Sequence, residues 1–175
     1  MNKPIMLALF IMVFASLQVV AAQNNKPYAG QQDRHIKALS ESEVDGLLKG
    51  KGMGMAKPAE LNKYPGPKHV LEIAEKLDLS HDQLLATMAL FKKMKSEAIP
   101  LGKEIVAAEK RLDELFASGV VTNQSLAKVL DEIAVFRSKL RFVHLKTHLL
   151  QKNIMTKMQI HQYNRFRGYA KHHHH

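Results

Sequence analysis

An all-α fold built on two long helices is expected from this sequence, on three grounds. From Leu84 the positions Thr87, Phe91, Met94, Ala98, Leu101, Ile105, Ala108, Leu112 and Leu115 follow at alternating steps of three and four. Val129, Ile133, Phe136, Leu140, Val143, Thr147, Leu150 and Ile154 repeat the rhythm after a break at Gly119. Thr87 and Thr147 are the two polar exceptions, so each run describes one apolar helix face. Capping signals also punctuate the chain where helices should begin.

The elements follow in order. Residues 1–22 read as a signal peptide: Lys3 precedes an apolar run from Ile5 to Val20, and Val20-Ala21-Ala22 supplies the small residues for cleavage after Ala22. An uncleaved anchor is the competing reading, but the run is short for a membrane span, and Ser16 and Gln18 interrupt its end. Residues 23–39 are polar and unpatterned, as in a flexible mature N-terminus. A helical region is expected over 40–169, followed by a His-rich tail at 170–175.

Within that region Ser40-Glu41-Ser42-Glu43 has the form of a capping box and opens a short helix through Leu48, stopped by Gly50 and Gly52. Met53 to Asn62 has room for another helical turn. Tyr64-Pro65-Gly66-Pro67 is a rigid corner, because proline fixes φ and glycine turns freely. Val70, Leu71, Ala74 and Leu77 then mark a short amphipathic helix. The first long helix follows, with Pro100 predicting a kink where it removes a backbone donor. Thr122 or Asn123 can cap the second long helix.

The short link predicts that the long helices run antiparallel, as a hairpin. Matching the stripes about the turn sets Leu112 against Ile133, Ile105 against Leu140, Ala98 against Thr147 and Phe91 against Ile154. It also brings Glu104 near Arg141 and Glu97 near His148. Leu85, Leu90, Leu126, Leu130, Leu145 and Leu149 stay on the outer flanks, so an elongated homodimer is the expected way to cover them.

Composition excludes several chemistries. The chain has 175 residues, with 26 Lys+Arg, 16 Asp+Glu, 10 His and no Cys. Disulfides, Cys-ligated metal and thiol catalysis are therefore impossible. Without the leader, 25 basic side chains face 16 acidic ones. Export makes nucleic acid a remote partner for that charge, and favours anionic surfaces or acidic unfolded segments. G-x-S-x-G elbows, P-loops and dinucleotide fingerprints are missing, so an enzyme is not expected.

Two motifs carry a resemblance. Leu79-Ser80-His81-Asp82-Gln83 and Met155-Thr156-Lys157-Met158-Gln159 each set an apolar residue, a Ser/Thr cap and a Gln at the third helical position. Taken alone they are capping boxes. With the hairpin, the leader, the segment Tyr64–Leu71 and the ending Arg165-Phe166-Arg167-Gly168-Tyr169, the chain resembles the Spy/CpxP, or LTXXQ, family of exported bacterial proteins over roughly residues 53–169. The two sites depart from LTXXQ by Ser for Thr at Ser80 and by Met for Leu at Met155. The resemblance implies a cradle-like homodimer in a Gram-negative periplasm, acting as an ATP-independent chaperone, a stress modulator or a heavy-metal sensor.

The residues supply candidates for each role. Arg137, Arg141, His144 and His148 form a basic stripe at helical spacing, with Lys139 and Lys146 beside it. Met88, Met94, Met155 and Met158 lie around the other end, and flexible thioethers suit irregular partners. Unfolded or misfolded envelope proteins are the partners this surface would take. No cofactor is required for that role. The competing plain reading is a solvated helix face and ordinary core filling.

For a metal, His144 and His148 share one helix face, and Glu97 is the expected third ligand; Zn, Cu or Ni would suit such a set. A Glu97–His148 ion pair with an exposed His144 is the bland alternative. HExxH is absent, because Leu145 follows His144. His172, His173, His174 and His175 can bind transition metals by composition, whether as a native tail or as a truncated tag. A third possibility is an adaptor that binds the periplasmic domain of a sensor kinase.

Overall fold

The computed structural model describes residues 27–169. The expected leader and the His172–His175 tail lie outside the described residues. In chain order come α1 (Glu41–Leu48), α2 (Lys57–Glu60), α3 (Pro67–Glu72), a single 3-10 turn (Glu75–Leu77), α4 (His81–Ala117), α5 (Asn123–Ile154) and α6 (Lys157–Phe166). Among the described residues there is no strand.

Capping explains why helices begin where they do. Ser40 with Glu43, Ser80 with Gln83, Thr122 with Ser125, and Thr156 with Gln159 all form reciprocal boxes. Each satisfies two backbone N–H groups that the first turn would otherwise leave open. At the other end of α1, Gly50 adopts φ +56, and the Lys51 amide reaches back to the Gly46 carbonyl over 2.8 Å. That left-handed residue stops the helix at little steric cost.

The two long helices pack together. With 37 residues, α4 spans about 55 Å, and Pro100 lies inside it without ending it. Ion pairs Arg111–Glu132 and Arg137–Glu109 join α4 to α5 near the connecting residues 118–122. At the far ends the Gln151 amide donates to Thr87 Oγ1 over 3.1 Å, and Gln83 Nε2 donates to the Ile154 carbonyl over 2.8 Å. Leu112 shares a cluster with Ile133, and Ile105 shares one with Leu140.

Three clusters make the core. Ile36, Leu39, Leu47, Met94, Ala98, Ile105, Leu140 and Val143 fill the middle. Val70, Leu77, Met155 and Tyr163 join α3 to α6, and Ala108, Val129 and Ile133 lie toward the link. The structure differs from the sequence reading at residues 27–39: Ile36 and Leu39 are buried, and Lys37 pairs with Asp113 at 3.0 Å. A run of turns carries no periodicity, so pattern reading misses its two anchors. The region expected as one helix through Leu77 is broken after Glu72, and Asp78 adopts φ 48. This break lets Val70 and Leu77 both enter the α6 cluster, each fully buried.

At Gly102 an added Cβ would stand 2.0 Å from the Leu47 carbonyl oxygen. The end of α1 therefore lies directly on the α4 backbone. This contact sets the short helices, and the loop that follows them, over one side of the long pair.

Candidate functional site

The Tyr64–Pro67 corner governs the most unusual cluster. Pro65, Gly66 and Pro67 are buried, and the Tyr64 ring is covered by the Lys152 ammonium at 3.7 Å from its centroid. A Cβ on Gly66 would stand 2.8 Å from His148 Cε1, so only glycine lets the corner seat on this imidazole. With the corner fixed, α2 brings in Glu60, α3 His69, α5 His144 and His148, and α6 Tyr163, with Arg167 as its C-cap.

Glu60 is the hub of this cluster and is buried. Its Oε1 accepts a short hydrogen bond from the Tyr163 hydroxyl and another from His69 Nδ1 at 3.3 Å, with Arg167 Nε 3.9 Å away. Its Oε2 has no hydrogen-bond partner and lies 3.6 Å from His148 Nδ1. A buried carboxylate persists only among donors and cations of this kind. Burial, and then the bond to Glu60, push the Tyr163 phenol well above the usual tyrosine range.

The imidazoles are oriented by acceptors. His148 Nδ1 donates to the Tyr64 carbonyl over 2.7 Å, and His69 Nδ1 donates to Glu60, since carbonyl and carboxylate oxygens can only accept. His144 is buried, and its Nε2 has no partner. Burial lowers its pKa, and the neighbouring His148 and Lys95 charges lower it further, so its neutral form is favoured.

Glu60, His69, His144 and His148 line a cavity of about 620 Å³ between the glycine-rich loop 50–54, the corner and the long helices. Its walls are mainly apolar, with Phe91, Met94 and Met53 among them, and Lys51, Lys57, Lys68 and Lys95 also border it. It has the size and make-up of a small-ligand pocket.

A second feature lies on the outside of α5. Val135, Phe142 and Leu149 are exposed at seven-residue spacing, with relative accessibilities of 49%, 62% and 54%. Arg141, Lys139 and Lys146 are exposed beside them, and the Lys146 ammonium stands 5.9 Å from the Phe142 ring centroid. Of the other expected client-binding residues, Met88 is exposed on α4, while Met94 is buried in the core. Arg137 is bound to the buried Glu109 at 2.6 Å.

Both LTXXQ-like sites are formed as capping boxes. Leu79 and Met155 pack in the α3–α6 cluster, Ser80 and Thr156 cap, and Gln83 and Gln159 close the boxes. Glu97 pairs with Lys93 at 4.0 Å on its own helix, and Glu60 is the carboxylate beside His148. His144 is buried rather than exposed, with Gly52 of the 50–54 loop beside its ring. Among the described residues no three His, Asp or Glu side chains are grouped to hold one ion. Among them, too, no helix is long and apolar enough to cross a membrane.

Glu60, His69, Tyr163 and Arg167 were not candidates from sequence. The corner and the Arg165–Tyr169 ending flank them, but nothing local joins Glu60 to a residue 103 positions later. No family model, curated protein or solved structure matches the chain.

Proposed function

We propose that this chain is an exported, ATP-independent chaperone or stress-protection factor, which holds unfolded envelope proteins on the outer face of a long helical hairpin. The observation that carries this reading is the exposed apolar row Val135, Phe142 and Leu149 beside Arg141, Lys139 and Lys146. Long-range attraction to the cations gathers acidic unfolded segments, and the apolar row then retains them weakly and reversibly. An elongated homodimer would extend the face and shield part of it.

The test is aggregation of an unfolding protein, with the chain present in excess EDTA. Suppression near equimolar ratio supports metal-independent holding. The variant Phe142→Ser/Leu149→Ser should lose most of that suppression while keeping wild-type helicity. Sedimentation of the same variant shows whether the row instead joins two copies. If the variant is monomeric and still protects the client, the row is a subunit contact and the proposed client surface is wrong.

A further inference from the structure

The cavity beside α5 is not needed for client holding, and neither Phe142 nor Leu149 lines it. It nevertheless has the parts of a binding site. Two polar side chains that line it, Glu60 and His144, are nine-tenths or more buried, and each keeps one atom without a hydrogen-bond partner, Oε2 and Nε2. Leaving such atoms unmatched in the interior is unfavourable, and a ligand or water that pairs with them recovers that cost.

The remaining lining narrows the chemistry. Phe91, Met94, Met53 and Leu61 offer an apolar wall. Lys51, Lys57, Lys68 and Lys95 set four ammonium groups against the single carboxylate of Glu60. Lys51 is already paired with Asp45 and Lys68 with Glu72, whereas Lys57 forms no ion pair among the described residues. Lys95 donates to the Lys49 carbonyl, which leaves its charge uncompensated by a carboxylate. Glu60 in turn is countered by Arg167, His69 and His148. The surplus positive charge therefore lies at the lysines, while the deep unmatched acceptor is Glu60 Oε2.

We propose that this cavity binds a small amphipathic anion, with an aromatic or short alkyl body, an acidic group held by Lys57 and Lys95, and an N–H or O–H that donates to Glu60 Oε2. Neutral His144 can donate or accept at Nε2, as the ligand requires. About 620 Å³ is ample for one such molecule and far too small for a folded partner.

The probe is 8-anilinonaphthalene-1-sulfonate, whose rings, amine and sulfonate match the three parts. Titrated into the full chain in EDTA, it should show one saturable site per chain. Lys57→Glu and Lys95→Glu should each weaken that site by about tenfold or more, because each replaces attraction with repulsion. Gly52→Leu should abolish it by filling the space. Gly52 lines the cavity, lies outside the positive-φ region, and would place a Cβ 3.8 Å from His144 Nδ1, in ordinary contact.

Phe142→Ser/Leu149→Ser should leave this site intact, which separates it from the client face. The proposal is overturned if Gly52→Leu, with unchanged melting, binds the probe as wild type does, or if binding follows the α5 variant. Should Gly52→Leu fail to fold, the exposed Lys57→Glu decides alone. Stoichiometric Zn²⁺ uptake that is lost in His144→Leu, with no saturable probe site, would overturn it in favour of a metal centre.

Discussion

Gln83 and Gln159 hold each other amide to amide, each Nε2 donating to the other's Oε1 over 2.9 Å. Each Oε1 also accepts from its own N-cap amide, Ser80 at 3.0 Å and Thr156 at 2.9 Å. Each Nε2 reaches a backbone carbonyl as well, Ile154 for Gln83 and Asp78 for Gln159. The two boxes therefore act as one joint between the start of α4 and the start of α6. A glutamate serves well in the box of α1, where Glu43 is exposed. In the joint it would bring no donor.

Gln83→Glu should accordingly keep its own box yet lose stability by about 1–3 kcal/mol at neutral pH, since Gln159 Oε1 and the Ile154 carbonyl lose the donor that Gln83 Nε2 supplied. Urea unfolding of Gln83→Glu, Gln159→Glu and the double variant measures the coupling. Strict additivity would show that the two amides do not act together.

Ile105 and Leu140 are fully enclosed between the long helices, at 0% and 1% accessibility. Replacing either by Asp buries a charge with no counter-ion, and the cost should exceed about 4 kcal/mol. Circular dichroism should show lost helicity or a collapsed melting temperature. Retention of wild-type melting in both variants would show that this seam is misassigned.

Glu60→Leu should cost about 3–5 kcal/mol, because it strands the Tyr163 hydroxyl and the Arg167 guanidinium beside the carboxylate. Glu60→Gln keeps an acceptor and should cost less. Adding Tyr163→Phe to Glu60→Leu should recover part of the loss, as measured by chemical unfolding. Equal losses in Leu and Gln would mean that the carboxylate is not the hub.

His144 gives a pH signature. Its folded pKa lies below the ordinary histidine value of 6.5, chiefly through burial, so below that value the unfolded chain takes up a proton more readily than the folded one. This contribution to stability is present above pH 6.5 and is lost as pH falls through 6.5 toward the folded pKa. Lys95 and His148 reinforce it. His144→Gln should flatten the fall in melting temperature just below pH 6.5. Glu43, whose pKa is lowered by its Ser40 bonds, acts below 4.5 and leaves that window clear.

Gly102→Ala tests the seat of α1. The new methyl would meet the Leu47 carbonyl, and α1 must lift, at a cost of about 1–3 kcal/mol. Hydrogen exchange should accelerate in Glu41–Leu48 more than in α5. Uniform protection would show that α1 tolerates the displacement.

The sequence by itself determined the features that depend on near neighbours. Periodicity at three and four, Ser and Thr caps, Gly50 and the proline corner act within a turn or two, so the helix order and both long spans were legible before any fold was known. The tertiary structure alone decided what lies far apart in the chain. Ile36 and Leu39 sit among turns, where no period marks them as core. The carboxylate beside His148 comes from Glu60 rather than Glu97, because the corner seats on the imidazole while Glu97 faces Lys93. The Gln83–Gln159 joint likewise depends on the folding back of α6, which no spacing within either motif encodes. Burial then converted these polar residues into a hub, a joint and a cavity, since only away from water does an unmatched donor or acceptor carry a substantial cost.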